Sequence, residues 1–355
     1  MTALFAIAVP IGSWHPLLRD CLQSLIAQGA IVEIAALDAS GDDRVKAVLD
    51  EYDAALAYRR TGPDKGQSDA IIEGWNKTGA PILGWLNADD ALYPGALKTA
   101  AARFSADPAL DLVYGDSTII DDDHAYSGYH WAVAPPSEAI LSGCIISQPS
   151  CFFKREAVAK IGGLDADLHY TMDWDLWVRL WQGGARFDFI DETLSRVLWS
   201  GDAKTGGFNR SRRKELERII AGSPSLIRRA KSRVGFALHH FLEFRAPASL
   251  ARAVREKRRH DTRIINGFAR TGLIEENARL RMVYYGENNG LRLRIRFAPG
   301  ASGLIRVADA SMDITDGDNE IDLPETPGSQ QTIDLSISAN APTTFISARI
   351  EGKPI

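Results

Sequence analysis

Cysteine is scarce in this chain. Cys21, Cys144 and Cys151 are the only three in 355 residues, too few and too scattered for a disulfide framework or a structural zinc site. They fit a reduced, cytoplasmic protein that uses them as small core residues. Long apolar runs are missing too: nothing approaches the ~20 residues needed to span a bilayer, so any work at a membrane is done from its surface. Residues 1–10 lack a basic n-region, and their apolar run is only about eight residues, which reads as a buried first strand rather than a signal peptide. No Gly-x-Gly-x-x-Gly follows that strand, which removes a nicotinamide-dependent oxidoreductase from consideration. Net charge is −5, the wrong sign for a general nucleic-acid binder. Tryptophan does not recur after Trp199.

What is present is organised in three parts. In residues 1–205, apolar strands at 4–9, 32–37 and 81–86 alternate with helical patterns at 17–27, 44–52 and 68–75. Such alternation with buried strands predicts a mostly parallel α/β sheet, whose ligands bind beyond the carboxyl ends of the strands. Residues 206–262 read as a basic helical connector. Between 210 and 260 there are 15 Lys/Arg against 4 Asp/Glu, and 226–244 sets Ile227, Val234, Leu238, Phe241 and Leu242 on an amphipathic face. From 263 to 355 the period becomes two. Residues 291–297 alternate strictly, 332–338 and 344–350 are strand-like, and turn signals recur at Asn289-Gly290, Pro299-Gly300, Asp316-Gly317 and Pro327-Gly328. That pattern predicts an antiparallel β-sandwich.

Chemistry concentrates at three places. Asn87-Ala88-Asp89-Asp90 follows the 81–86 strand. Adjacent carboxylates repel unless a cation lies against them, and hard oxygen ligands suit Mg²⁺ or Mn²⁺. The plainer alternative is a solvated acidic turn with Asp90 capping a helix. Upstream, Gly62-Pro63-Asp64-Lys65-Gly66-Gln67-Ser68 makes a tight turn before a helix, whose N-terminus favours anions. Otherwise it is an ordinary loop with Ser68 as cap. Downstream, Asp173 and Asp175 fall at a helix start, with Leu176, Trp177 and Leu180 on one face. One of them is either an N-cap or a general base held near a substrate hydroxyl.

In order, these pieces resemble the GT-A-fold, family 2 inverting glycosyltransferases of bacterial cell-surface polysaccharide (O-antigen) synthesis. The matching series is Val9-Pro10, Leu22-Gln23-Ser24-Leu25, Leu37-Asp38-Ala39-Ser40, Asp64-Lys65-Gly66-Gln67-Ser68-Asp69, Gly84-Trp85-Leu86-Asn87-Ala88-Asp89-Asp90, Gln148-Pro149-Ser150, Gly162-Gly163-Leu164-Asp165 and Asp173-Trp174-Asp175-Leu176-Trp177. It spans roughly residues 3–200. The resemblance implies a nucleoside-diphosphate sugar donor carrying UDP, GDP or dTDP, and a glycan or lipid-linked acceptor. Pro10, Asp38, Ser40, Asp64 and Lys65 would serve the nucleotide. Asn87, Asp89 and Asp90 would serve the donor sugar and diphosphate, with Asp89 as the protein ligand to Mn²⁺ or Mg²⁺. Asp173 would be the catalytic base, and Asp175 and Trp177 would shape the acceptor site. Two departures stand out: Asn87 replaces the first Asp of the family's Asp-x-Asp, and Met172 replaces the Glu beside the base. They are the only support for the rival reading, a non-catalytic glycan-binding or assembly protein on a decayed transferase fold.

Two further features stay open at this level. The 210–260 segment is either a linker with a solvated basic face or an interfacial helix drawn to anionic lipids on the inner face of the cytoplasmic membrane. The sandwich is either a carbohydrate-binding module or a scaffold.

Overall fold

In the computed structural model the described residues are 3–121, 123–130, 132, 136–198, 210–223, 225–244, 273–274, 276–285, 290–323 and 330–352. They divide into two compact units, the first drawn from 1–117, 131–197 and 201–236, the second from 118–130, 198–200 and 237–355.

The first unit opens with β1 (Phe5–Ile11), α1 (Leu18–Ile26), β2 (Val32–Asp38), α2 (Asp43–Tyr52), β3 (Tyr58–Thr61), α3 (Gln67–Asn76) and β4 (Ile82–Trp85). After β5 (Ala91–Leu92), α4 (Ala96–Ala106) and β6 (Leu112–Ile120), the chain forms β7 (Tyr126–His130), β8 (Cys151–Lys154), α5 (Arg155–Lys160), α6 (Met172–Gln182) and β9 (Phe187–Leu198). Helices α7 (Arg210–Gly222) and α8 (Leu226–Phe244) follow. β1 lies between β2 and β4, parallel to both, and β2 is parallel to β3. β8 joins β4 antiparallel and β6 joins β8 antiparallel. The order β6-β8-β4-β1-β2-β3 is the mixed α/β sheet expected of a GT-A domain.

β1 reads as an unbroken apolar run because both its faces are covered. Its alternate residues feed two cores. Ala6 and Ala8 join Ala35, Leu37 and Trp85 beneath α3 and α6. Phe5, Ile7 and Val9 join Ile34 and Ala36 beneath α1, α2 and α4. α3 lies close because Gly74 meets Ala8 and Leu37, where a Cβ would come within 2.9 Å and 3.0 Å. α7 belongs to this unit. Leu216, Ile219 and Ile220 are buried in the core that also holds Trp174 and Trp177. The sequence reading placed α7 in a connector beginning at 206. Its i, i+3, i+4 apolar spacing instead buries one face, leaving Arg210, Arg213 and Lys214 outside.

The second unit is antiparallel. β10 (Leu273–Ile274), β11 (Asn277–Tyr285), β12 (Leu291–Phe297), β13 (Gly303–Val307), β14 (Ala310–Asp313), β15 (Gly317–Asp322), β16 (Gln330–Ala339) and β17 (Thr343–Gly352) form two sheets. One runs β15-β12-β17-β7 with β10 beside β17, and the other β11-β16-β13-β14. The period of two in β12 buries Leu291, Leu293, Ile295 and Phe297. The alternate Arg292, Arg294 and Arg296 pair across the strand with Asp322, Glu320 and Asp318. Between the two sheets, the Tyr126 hydroxyl donates to the Val283 carbonyl at 3.0 Å and accepts from its amide at 2.9 Å.

Candidate active site

All the candidate residues lie in the first unit: Pro10, Asp38, Ser40 and the 87–90 loop at the carboxyl ends of β1, β2 and β4, where a parallel sheet leaves its strand termini open to ligands, Asp64 and Lys65 between β3 and α3, and Asp173, Asp175 and Trp177 on α6. Pro10 is half-buried and opposite Leu37. Asp38 ends β2 and is buried. Its Oδ1 accepts from the Ser40 amide at 2.9 Å and the Ser40 hydroxyl at 2.6 Å, closing a local turn. Arg60 ties this turn to the next loop. Its guanidinium pairs with Asp64 at 3.0 Å and Glu73 at 3.1 Å, and donates to the carbonyls of Asp38 and Gly62. Asp64 in turn accepts from the Gly66 amide at 2.9 Å, while Lys65 is exposed.

Gly66 is the N-cap of α3. Its φ of +131° favours glycine, and a Cβ there would lie 3.3 Å from the His169 ring. The loop before α3 and the segment before α6 therefore meet here. Ser68, expected as a cap, is instead buried and donates to the Leu168 carbonyl at 2.8 Å, beside the Met172 sulfur.

The 87–90 loop is held by amides. Gln67 Nε2 donates to Asn87 Oδ1 at 2.7 Å, and Asn87 Nδ2 donates to Asp90 Oδ2 at 3.0 Å. Asp90 is buried, and a buried carboxylate needs a donor against it. Asn87 supplies that donor, whereas an aspartate there would set one carboxylate against another. Asn87 and Asp90 thus hold each other, and Asp90 does not cap α4, whose N-cap is Gly95. Asp89, between them, is part-exposed.

The third element is the start of α6. Asp173 Oδ1 accepts from the Trp174 amide at 2.7 Å, and the Cys144 thiol lies 3.7 Å from Oδ2. The carboxyl is part-exposed, yet densely surrounded by protein. Burial raises its pKa above the usual aspartate value, against the opposing pull of the Trp174 amide, its own amide, Cys144 and the positive charge of Arg212. Asp175 has a different job. It pairs with Arg179 at 2.7 Å, and Arg179 reaches on to the carbonyls of Ile161 and Gly163. Trp177, expected to shape the acceptor site, has no exposed surface. It is fully buried and stacks on Trp85 at 6.0 Å with an interplanar angle of 18°. It can shape the site only from beneath.

Glu215, on α7, was not anticipated. Its buried carboxylate accepts from three successive backbone amides, His169 at 3.0 Å, Tyr170 at 2.9 Å and Thr171 at 3.1 Å, and from the Thr171 hydroxyl at 3.1 Å. α7 thereby fixes the turn that leads into Asp173, and it also carries Arg212. The available signal was a glutamate directly before Leu216, on the side of the helix that carries Ile219 and Ile220, in a segment rich in Lys and Arg.

Residues 9–162 match the family described as glycosyl transferase family 2. An uncharacterized glycosyltransferase of Rickettsia typhi is 25% identical over 236 residues, covering 62% of this chain and 71% of the relative. The O-antigen biosynthesis protein RfbC of Myxococcus xanthus is 27% identical over 183 residues, half of this chain but 14% of that protein. Among solved structures, residues 1–349 of TarS from S. aureus share the fold with a TM-score of 0.50 at 12% identity, over 71% of this chain and 78% of that one. The family match over residues 9–162 and the shared fold support a family 2 glycosyltransferase domain of the GT-A fold in the first unit of this chain.

Proposed function

We propose that the enzyme transfers a sugar, with inversion, from a nucleoside-diphosphate donor (UDP, GDP or dTDP) to a hydroxyl of a glycan or lipid-linked acceptor in cell-surface polysaccharide assembly. The observation that carries the reading is Asp173: a part-exposed carboxylate of raised pKa at the start of α6, whose preceding segment is tied to the start of α3 by the Ser68–Leu168 hydrogen bond. Asp173 takes the proton of the acceptor hydroxyl. The hydroxyl oxygen then forms its bond to the anomeric carbon, and the bond from that carbon to the diphosphate breaks with its electron pair on the departing nucleotide. Asp38, Ser40, Asp64 and Lys65 orient the nucleotide, with Pro10 at the pocket wall. The O-antigen name of one relative supports the polysaccharide setting.

The donor set at the 87–90 loop fits a hard cation held through Asp89. Mg²⁺ or Mn²⁺ held there would take its remaining ligands from phosphate and water; among the described residues no three His, Cys, Asp or Glu side chains gather into a metal cluster. Bound there, the cation would supply charge neutralisation on the departing diphosphate. The two departures that favour a decayed transferase have structural roles instead: Asn87 satisfies Asp90, and Met172 packs against Ser68.

The test is thermal stabilisation by UDP, GDP and dTDP with and without Mn²⁺. One nucleotide should stabilise the protein only with metal, by about 2.7 kcal/mol at a hundredfold excess over Kd, and Asp89→Asn should remove the effect. Stabilisation by no nucleotide, or an undiminished metal response in Asp89→Asn, overturns the assignment.

A further inference from the structure

α8 exposes what a water-soluble helix normally hides. Leu226, Ile227, Val234 and Phe241 are 76%, 72%, 66% and 44% exposed, and they make up four of the six large hydrophobic residues found exposed among the described residues. Scattered single exposures need no explanation, but a row of them does. At 3.6 residues per turn, Ile227, Val234 and Phe241 fall on one stripe. Exposed Ala230 and Ala237 lie within it. Phe236, nine residues beyond Ile227, points the opposite way and packs on Trp174 with ring centroids 5.3 Å apart.

The charges around the stripe indicate its occupant. Helical spacing sets Lys231 along one margin and Arg233 along the other. Arg228, Arg229 and Arg233 are tied to Glu138, the Ser223 carbonyl and Glu217, which anchors the helix to its own protein. Lys231, and Arg210, Arg213 and Lys214 of α7, are exposed. Residues 210–260 carry 15 Lys/Arg against 4 Asp/Glu in a chain of net charge −5. A second copy meeting this face with its own identical face would bring like charge against the segment. An anionic bilayer brings opposite charge to the basic margin and an apolar layer to the stripe. No helix among the described residues is long and apolar enough to cross a membrane, so the contact lies in the plane of the surface.

We infer that α8 docks this protein on an anionic phospholipid surface through Leu226, Ile227, Val234 and Phe241. Docking would set the site at the headgroup layer, because Phe236, on the opposite face of α8, packs on the residue next to Asp173. That separation is about one helix diameter, ~10 Å. A site at that depth favours a lipid-linked acceptor over a free glycan, a consequence that rests on the transferase reading. The docking itself does not.

The test is cosedimentation of the full chain with vesicles of phosphatidylcholine alone or mixed with phosphatidylglycerol. Wild type should bind the mixed vesicles at least about tenfold more tightly than the neutral ones, and more weakly at high salt. The double variant Ile227→Ser with Val234→Ser, at exposed positions outside the site, should lose at least about tenfold in binding while keeping its melting temperature and its transfer to a soluble acceptor. Failure of wild type to bind, or equal binding by the variant, overturns the proposal. So does a light-scattering dimer that dissociates in the variant, which would give the stripe to a second copy. Vesicle binding by a protein that transfers no sugar would leave docking intact and refute the transferase reading instead.

Discussion

Two pairs of carboxylates bracket the site, Asp89 with Asp90 after β4 and Asp173 with Asp175 at the start of α6. In sequence they look interchangeable, and in the fold each pair splits. Asp90 is buried against Asn87, and Asp175 is locked to Arg179. Asp89 is part-exposed where Asp90 is buried, whereas Asp173 and Asp175 are both part-exposed and differ in their partners. The pairs differ in what holds them. The 87–90 loop is closed by side-chain amides from Gln67 and Asn87. The α6 start is closed by its own backbone amides and by Glu215 from α7. One partner in each pair is engaged in holding the local structure, and the other is the one proposed to act.

The sharpest way to break this comparison is to neutralise the two α6 carboxylates separately. Asp173→Asn should lower kcat by about 10²–10⁴-fold, the usual contribution of a general base, and leave nucleotide-induced stabilisation unchanged. Asp175→Asn should do the reverse, keeping turnover within about tenfold and losing about 1–2 kcal/mol of stability as Arg179 loses its partner. Equal losses of kcat in both would mean that the pair does not divide its work. Assays of transfer and denaturant unfolding on the same preparations decide it.

The next effect is on α7. Glu215→Ala leaves three amides and a hydroxyl without their acceptor and should cost on the order of 3 kcal/mol. In protein that still folds, kcat should fall more than KM rises, because the turn before Asp173 loosens while the nucleotide loops do not. A stability loss below about 1 kcal/mol in urea unfolding would show that water replaces the carboxylate freely.

The smallest expected effect is a shift in pH dependence. Asp173 must be ionised to act, and burial raises its pKa. Transfer should therefore fail as pH drops through that raised value, at a pH above the ordinary aspartate range of about 4. Arg212 works against the shift, so Arg212→Met should move the acid limb of kcat/KM upward by up to about one pH unit. A limb that stays in place would remove Arg212 from the electrostatics of the base.

Sequence made β1, β2 and β4 legible because central parallel strands are apolar on both faces, and it made β12 legible because one face is wet. β3 was missed: Tyr58-Arg59-Arg60-Thr61 lies at the sheet edge and carries charge where a core strand would carry valine. Asp89 and Asp173 are proposed from the order of the motifs along the chain. The engagement of Asn87 with Gln67 and Asp90 could not, since it depends on two loops converging in space. Trp177 was given to the acceptor on resemblance, although its spacing with Leu176 and Leu180 already described a buried face. Glu215 is the plainest case. A carboxylate in a basic stretch reads as surface, and only the turn it meets, more than forty residues earlier, makes it interior.

That last contact also bears on how the enzyme comes into being. A chain leaves the ribosome from its N-terminus, so every residue proposed to touch donor, metal or acceptor emerges before Glu215. Until α7 follows, the nascent domain holds its whole catalytic inventory but lacks the acceptor for the His169, Tyr170 and Thr171 amides. A fragment ended near residue 205 would be arrested at that stage. Competence is thus a late event of synthesis, conferred by a helix that contributes no reacting atom.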